Sequence, residues 1–83
     1  MYKIPYDAYK KVSTMIRAAE ESGDRGQILD LEYNFNGIVK AAYGLNGHPK
    51  ADKALAVAYQ FGHSYGLNEV LIYFSDIVEI LED

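Results

Sequence analysis

Apolar and polar residues recur with helical spacing along most of this chain, and the pattern is clearest in its last third. From Val70 to Leu81 only Ser75, Asp76 and Glu79 are polar. At about 100° per residue, one broad arc holds the apolar residues Val70, Leu71, Phe74, Ile77, Val78 and Leu81, and the opposite arc holds Glu69, Asp76, Glu79 and Asp83. An apolar arc this wide predicts a helix that contacts more than one neighbour.

Helix start and stop residues divide the chain into four predicted helices. Proline suits a first helical position, glycine suits a helix end, and Asp24 followed by Gln27 resembles a capping box. The predicted helices span about 5–22, 25–43, 49–65 and 68–82. No internal repeat or linker interrupts them, so the sequence predicts a single all-α domain over residues 1–83, a compact four-helix bundle-like fold.

The segment Tyr65-Gly66-Leu67-Asn68 predicts a tight turn between the last two helices. A left-handed Gly66 would end the third helix, and Leu67 would pack back on its last turn near Phe61 and Gly62. Asn68 would cap the next helix through its side-chain oxygen. Because so short a connection joins neighbours, the two helices are expected to be antiparallel.

Residues 28–43 carry two competing patterns. Ile28, Leu31 and Phe35 begin a spacing of three and four that continues to Leu45, whereas polar and apolar residues also alternate before Asn36-Gly37, a strong hairpin signal. The helix is favoured, and the alternative is an α+β fold with a hairpin at 29–43. A helical Gly37 costs about 1 kcal/mol relative to alanine. We therefore expect a close crossing there.

The third helix offers a partner for that crossing. Small residues let helix backbones approach closely, and one side of this helix carries four of them, while larger side chains surround that side. The small residues are Ala51, Ala54, Ala58 and Gly62, and the larger ones are Leu55, Val57, Phe61 and Tyr65.

Charge and composition narrow the function classes. The net charge of −4 comes from the second half, where Lys50 and Lys53 are the last basic residues and six acids lie between Asp52 and Asp83. This asymmetry disfavours nucleic-acid and anionic-membrane binding and suits a partner with a basic surface. No cysteine, signal-peptide pattern or membrane-length apolar run is present. We expect a cytoplasmic protein with no membrane partner.

The chain lacks a recognisable catalytic or metal-binding motif. His48 and His63 stand about four helical turns apart, too far to share an ion. Asp76 and Glu79 share a face, as an acid and base pair would, but no concave apolar pocket is indicated around them. We therefore expect no metal, no cofactor and no enzymatic activity. An enclosed pocket with converging polar groups would instead favour a small enzyme or ligand-binding domain.

The aromatic content points to interfaces. Eight tyrosines and three phenylalanines, without tryptophan, are many for a domain of this size, and tyrosine is enriched where proteins meet. Exposed apolar groups interrupt the acidic arc of the last helix, which is typical of a docking face. The predicted partner-binding residues are Glu69, Ile72, Tyr73, Asp76, Glu79, Ile80 and Asp83. In the competing interpretation Ile72 forms a hydrophobic staple with Leu67 and the acids are only solvated.

These features predict a small, acidic, non-enzymatic protein-binding module. In size, acidity and tyrosine content the chain resembles small accessory proteins with which phages and mobile elements block a host protein. That resemblance implies an inhibitor. The alternative is a structural homodimer that buries the apolar excess of the last helix in a two-fold interface.

Overall fold

Four α-helices form the fold of the computed structural model, which describes the backbone of residues 6–81 and the side chains of residues 6–77. The helices are α1 (Tyr6–Ser22), α2 (Arg25–Ala42), α3 (Pro49–Gly62) and α4 (Leu67–Leu81). A single 3₁₀ turn, His63–Tyr65, joins α3 to α4. The predicted all-α fold is confirmed.

Local sequence signals set the start of α2 and the helix boundaries around it. Asp24 has an extended backbone, and its Oδ1 accepts hydrogen bonds from the backbone N–H groups of Gly26 and Gln27, at 2.9 and 3.4 Å. These bonds satisfy donors that the first helical turn leaves free. Gly23 ends α1 with a positive φ of 68°, and Pro49 begins α3. The N-cap at Asp24 is therefore as predicted.

Residues 25–42 form a helix, so the hairpin alternative at 29–43 is wrong. Leu31, Phe35 and Val39 are buried at intervals of four residues, which places them on one face of α2. The turn-like dipeptide Asn36-Gly37 lies inside this helix, and both residues are exposed. The long-range burial of one face outweighs the local turn preference.

The core lies between two helix pairs, α1 with α2 and α3 with α4. α1 packs mainly against α2, α3 packs closely along α4, and α1 also contacts α4, while α2 meets α3 over only a few residues. Val12, Ile16, Leu55, Phe74 and the buried face of α2 are inaccessible or nearly so. α4 thus contacts two helices, as its wide apolar arc predicts.

The close helix crossing expected at Gly37 occurs elsewhere. A Cβ at Gly37 would meet no described atom within 4 Å, whereas a Cβ at Gly62 would lie 2.8 Å from the backbone N of Val70. The close approach therefore lies between Gly62, on the small side of α3, and α4, and not at Gly37 of α2. The prediction identified the correct surface of α3 and the wrong partner helix.

No helix among the described residues has both the length and the apolar content required to cross a lipid bilayer.

Candidate functional site

The turn before α4 sets the position of its outer face. Gly66 has a positive φ of 112°, and Leu67 behind it is only 9% exposed. The predicted N-cap at Asn68 is wrong, because α4 already begins at Leu67. Asn68 Oδ1 instead accepts a hydrogen bond from the Ser13 hydroxyl of α1 at 3.3 Å. The side chain joins two helices because α1 lies within reach, a contact that local sequence cannot reveal.

The outer face of α4 carries the predicted partner-binding residues whose side chains the structure describes. Asp76 is exposed, Ile72 is 41% exposed, and Glu69 and Tyr73 are half-buried. Their spacing of three and four residues places them on one side of the helix. The remaining predicted residues cannot be placed, because the side chains of Glu79 and Ile80 and the whole of Asp83 lie outside the described residues.

Phe61 of α3 extends this face. Its ring is 57% exposed and lies 6.1 Å from the ring of Tyr73, centroid to centroid, at an angle of 41°. The sequence prediction treated Phe61 and Tyr65 as bulk around the helix crossing, but both are exposed, Tyr65 by 79%. We call Phe61, Glu69, Ile72, Tyr73 and Asp76 the acidic–aromatic face.

A usable sequence signal for Phe61 did exist. Once Ala54, Ala58 and Gly62 are taken as the side of α3 that touches its neighbour, the 100° spacing puts Phe61 at the margin of that side. A large ring at the margin cannot enter a crossing that small residues keep tight, so it is displaced to the surface.

The described ion pair of the molecule leaves this face uncompensated. Lys40 Nζ lies 2.9 Å from Asp52 Oδ1, which ties α2 to α3. Among the described side chains, Glu69 and Asp76 take part in no such pair. A cation for these two carboxylates would therefore come from outside this part of the chain.

A second feature, which the sequence prediction missed, is an open cleft lined by residues of α2, of α3 and of the turn before α4. Its volume is about 360 Å³, within the lower part of the range for small-ligand pockets. We call it the α2–α3 cleft, and it is lined by Glu32, Tyr33, Asn36, Tyr59, His63, Gly66 and Leu67. Polar groups at a spacing of four on both helices, Glu32 with Asn36 and Tyr59 with His63, were the available signal.

Tyr59 is the best-fixed side chain of this cleft. Its ring meets the buried ring of Phe35 edge to face at 5.8 Å, and the ring of His63, in the 3₁₀ turn after α3, lies 6.2 Å away. Burial, and secondarily the negative charge of Glu32, raise the pKa of the Tyr59 phenol above its ordinary value. The phenol is therefore neutral at physiological pH and available as a hydrogen-bond donor or acceptor.

The two histidines have separate roles. His48 is the N-cap of α3, and its Nδ1 accepts a hydrogen bond from the Lys50 backbone N–H at 3.2 Å. His63 lines the α2–α3 cleft at the far end of the same helix. Within the described residues, no three carboxylate or imidazole side chains converge as metal ligands would.

The chain belongs to a family of unknown function, DUF8546, whose sequence model matches residues 7–82. No curated protein and no solved structure matches the chain. The family assignment carries no activity with it, so a function has to be argued from the two surfaces described above.

Proposed function

We propose that this protein is a non-enzymatic binding module that docks a partner protein with a basic surface through the acidic–aromatic face. The observation that carries the proposal is the contact of the exposed Phe61 ring with the half-buried Tyr73 ring, on the face that also carries the exposed residue Asp76. Aromatic rings bordered by charge are the usual composition of a binding hot spot and its rim.

The apolar part of the face supports docking through its exposure. Ile72 is 41% exposed and Phe61 57% exposed on adjacent helices of a small domain, although the core of the same helices is closely packed. Burying such side chains against a partner gains about 25 cal/mol for each Å² of apolar surface removed from water. These exposed apolar side chains therefore supply binding affinity.

The acidic part of the face supports the choice of a basic partner. No lysine or arginine follows Lys53 along the chain, whereas five acidic residues do. Charges of one sign steer a partner of the opposite sign and raise the association rate. Asp76 and Glu69 therefore supply selectivity and speed of encounter rather than most of the affinity.

We further propose that docking inhibits the partner protein. Its support is the compositional resemblance to small accessory proteins of phages and mobile elements. An inhibitor of this kind would cover a functional surface of its partner, so loss of binding and loss of inhibition should occur together.

The test compares charge reversal on the face with the same reversal elsewhere. We expect Asp76→Lys to abolish capture of a specific partner from a lysate, as quantified by mass spectrometry, because the lysine would repel a basic surface. Glu21→Lys, at an exposed position on α1, should retain capture. Circular dichroism should show both variants folded, since neither position is buried.

Salt gives a second, independent reading of the same interaction. The association rate of the wild-type protein with the captured partner should fall as ionic strength rises, because exposed charges are screened. If Asp76→Lys captures the same partner at wild-type levels, or if the association rate does not respond to salt, the face proposal is wrong.

The exposed apolar rings also favour a second candidate, a homodimer formed through the same face. Sedimentation velocity at micromolar concentration separates the two. A dimer that Phe61→Ser dissociates would favour self-association over docking of a basic partner, whereas a strict monomer eliminates the homodimer.

A further inference from the structure

We propose that the α2–α3 cleft binds a guanidinium or alkylammonium group, at a site separate from the acidic–aromatic face. The cleft brings together one carboxylate, one carboxamide and two tyrosine rings, and no lysine or arginine of the described residues lines it. This inference does not depend on the proposed function, because Glu32, Asn36 and Tyr59 belong to α2 and α3 and not to the docking surface.

The lining chemistry matches a planar or compact cation. A carboxylate and a carboxamide oxygen accept the N–H donors of a guanidinium or ammonium group. Tyr33 and Tyr59 both line the cleft, and tyrosine rings attract such cations by the cation–π interaction, which strengthens when the cation is desolvated. An anionic ligand would meet the Glu32 carboxylate with no compensating lysine or arginine in the described lining.

The surroundings add negative charge at the end of the cleft. The Glu20 carboxylate of α1 reaches Gly66, where its Oε2 lies 3.8 Å from the position that a Cβ would occupy. Glu32 of α2 therefore lines the cleft, and Glu20 of α1 lies near Gly66, another residue of the lining. Opposite charge concentrated in a concave surface attracts a cation more strongly than a single exposed carboxylate does.

The framework of the site is formed without the ligand. Tyr59 is held by its edge-to-face contact with buried Phe35, and Leu67, which also lines the cleft, is almost fully buried. Side chains that packing already holds, such as Tyr59 and Leu67, lose little entropy when a ligand binds.

The experiment titrates the ¹⁵N-labelled protein with N-acetyl-arginine amide and, as a matched neutral probe, N-acetyl-citrulline amide. The arginine probe should give saturable shifts of the Asn36 side-chain amide and of backbone amides near Glu32 and His63. The citrulline probe keeps the shape and loses the charge, so its binding should be at least about tenfold weaker, as expected for loss of a charge-assisted hydrogen bond.

Two variants test the lining directly. Glu32→Gln should weaken binding of the arginine probe about tenfold or more, while Glu21→Gln, the same chemical change at an exposed site outside the cleft, should leave it unchanged. Tyr33→Leu should weaken it a few-fold, because an exposed cation–π contact is lost. Tyr33 is 92% exposed, so the fold should tolerate the change.

The source of the cation is decided by comparing agmatine with a capped pentapeptide that has arginine at its centre. Tighter binding of agmatine indicates a free amine as the ligand, and tighter binding of the peptide indicates a side chain of another protein. The proposal is overturned if neither probe gives saturable shifts, if citrulline binds as well as arginine, or if Glu32→Gln binds like the wild type. Asp76→Lys should bind the arginine probe as the wild type does, because Asp76 does not line the cleft. Loss of probe binding to the cleft can therefore be distinguished from loss of partner docking on the acidic–aromatic face.

Discussion

Replacing Gly62 with alanine would test the close approach of α3 to α4. A Cβ at this position would lie 2.8 Å from the backbone N and 2.9 Å from the Cα of Val70, and 3.0 Å from the carbonyl carbon of Glu69. All three atoms are backbone, so no side-chain rotation can relieve the overlap. The distance between the added Cβ and the backbone N of Val70 must therefore grow from 2.8 Å to about 3.4 Å, where ordinary van der Waals contact begins.

The cost follows from what α4 buries. Moving α4 outward loosens the packing of Val70, Leu71 and Phe74, which are all fully buried. A gap of this size removes about a quarter to a half of the van der Waals energy of each affected contact. Overpacking of this kind costs about 1–3 kcal/mol. Alanine regains at most about 1 kcal/mol from its better helix propensity, and less here because Gly62 is the last residue of α3. We expect a net loss of about 1–2 kcal/mol of unfolding free energy.

The matched control is Gly37→Ala. Gly37 lies within α2, is exposed and has no positive φ, and an added methyl group there would meet no described atom within 4 Å. The same substitution there should therefore raise the unfolding free energy by about 0.5–1 kcal/mol. Urea denaturation followed by circular dichroism measures both. In thermal melts of a domain this size, each kcal/mol corresponds to about 4–8 °C in Tm.

Gly62→Ala and Gly37→Ala are expected to change the unfolding free energy in opposite directions. If Gly62→Ala is as stable as the wild type, the backbones of α3 and α4 do not approach as closely as described. If Gly37→Ala is destabilising by a similar amount, α2 makes a close contact at Gly37 after all, as its sequence pattern alone would predict.

Two further predictions concern buried and half-buried tyrosines. Tyr43→Phe should lower the unfolding free energy by about 0.5–1.5 kcal/mol, because it removes the buried hydrogen bond of 2.8 Å between the Tyr43 and Ser75 hydroxyl groups. A double-mutant cycle with Ser75→Ala that gives no coupling energy between the two residues would contradict this expectation. For Tyr59, the pKa in the folded protein is raised above the unfolded value of about 10. Above pH 10, the unfolded chain therefore releases a proton that the folded chain keeps. The free energy of unfolding then falls with rising pH until the pKa of the folded protein is passed. Tyr59→Phe should therefore lose less stability than the wild type as the pH rises through about 10, measured by urea denaturation at a series of pH values. Identical pH profiles of the variant and the wild type would contradict this expectation.

The helices themselves could be predicted from the sequence because their signals are local. Asp24 caps α2, Pro49 begins α3, and Gly66 supplies a positive φ between α3 and α4. A hydrogen-bonding side chain, a fixed proline φ and a glycine without Cβ act on residues within one turn of themselves. Repeats of three and four residues also placed Phe35 and Phe74 on apolar helix faces, and both are buried in the core.

The candidate surfaces depended on which helices are neighbours, and only the tertiary structure decided that. The sequence indicated an acidic outer face on α4, but the addition of Phe61 from α3 follows from the close packing of α3 on α4. α2 and α3 meet over only a few residues, and the α2–α3 cleft is lined by Glu32 from α2 and Tyr59 from α3. Helical periodicity fixes the direction of a side chain relative to its own axis, whereas the distance between two axes depends on the packing of the whole core.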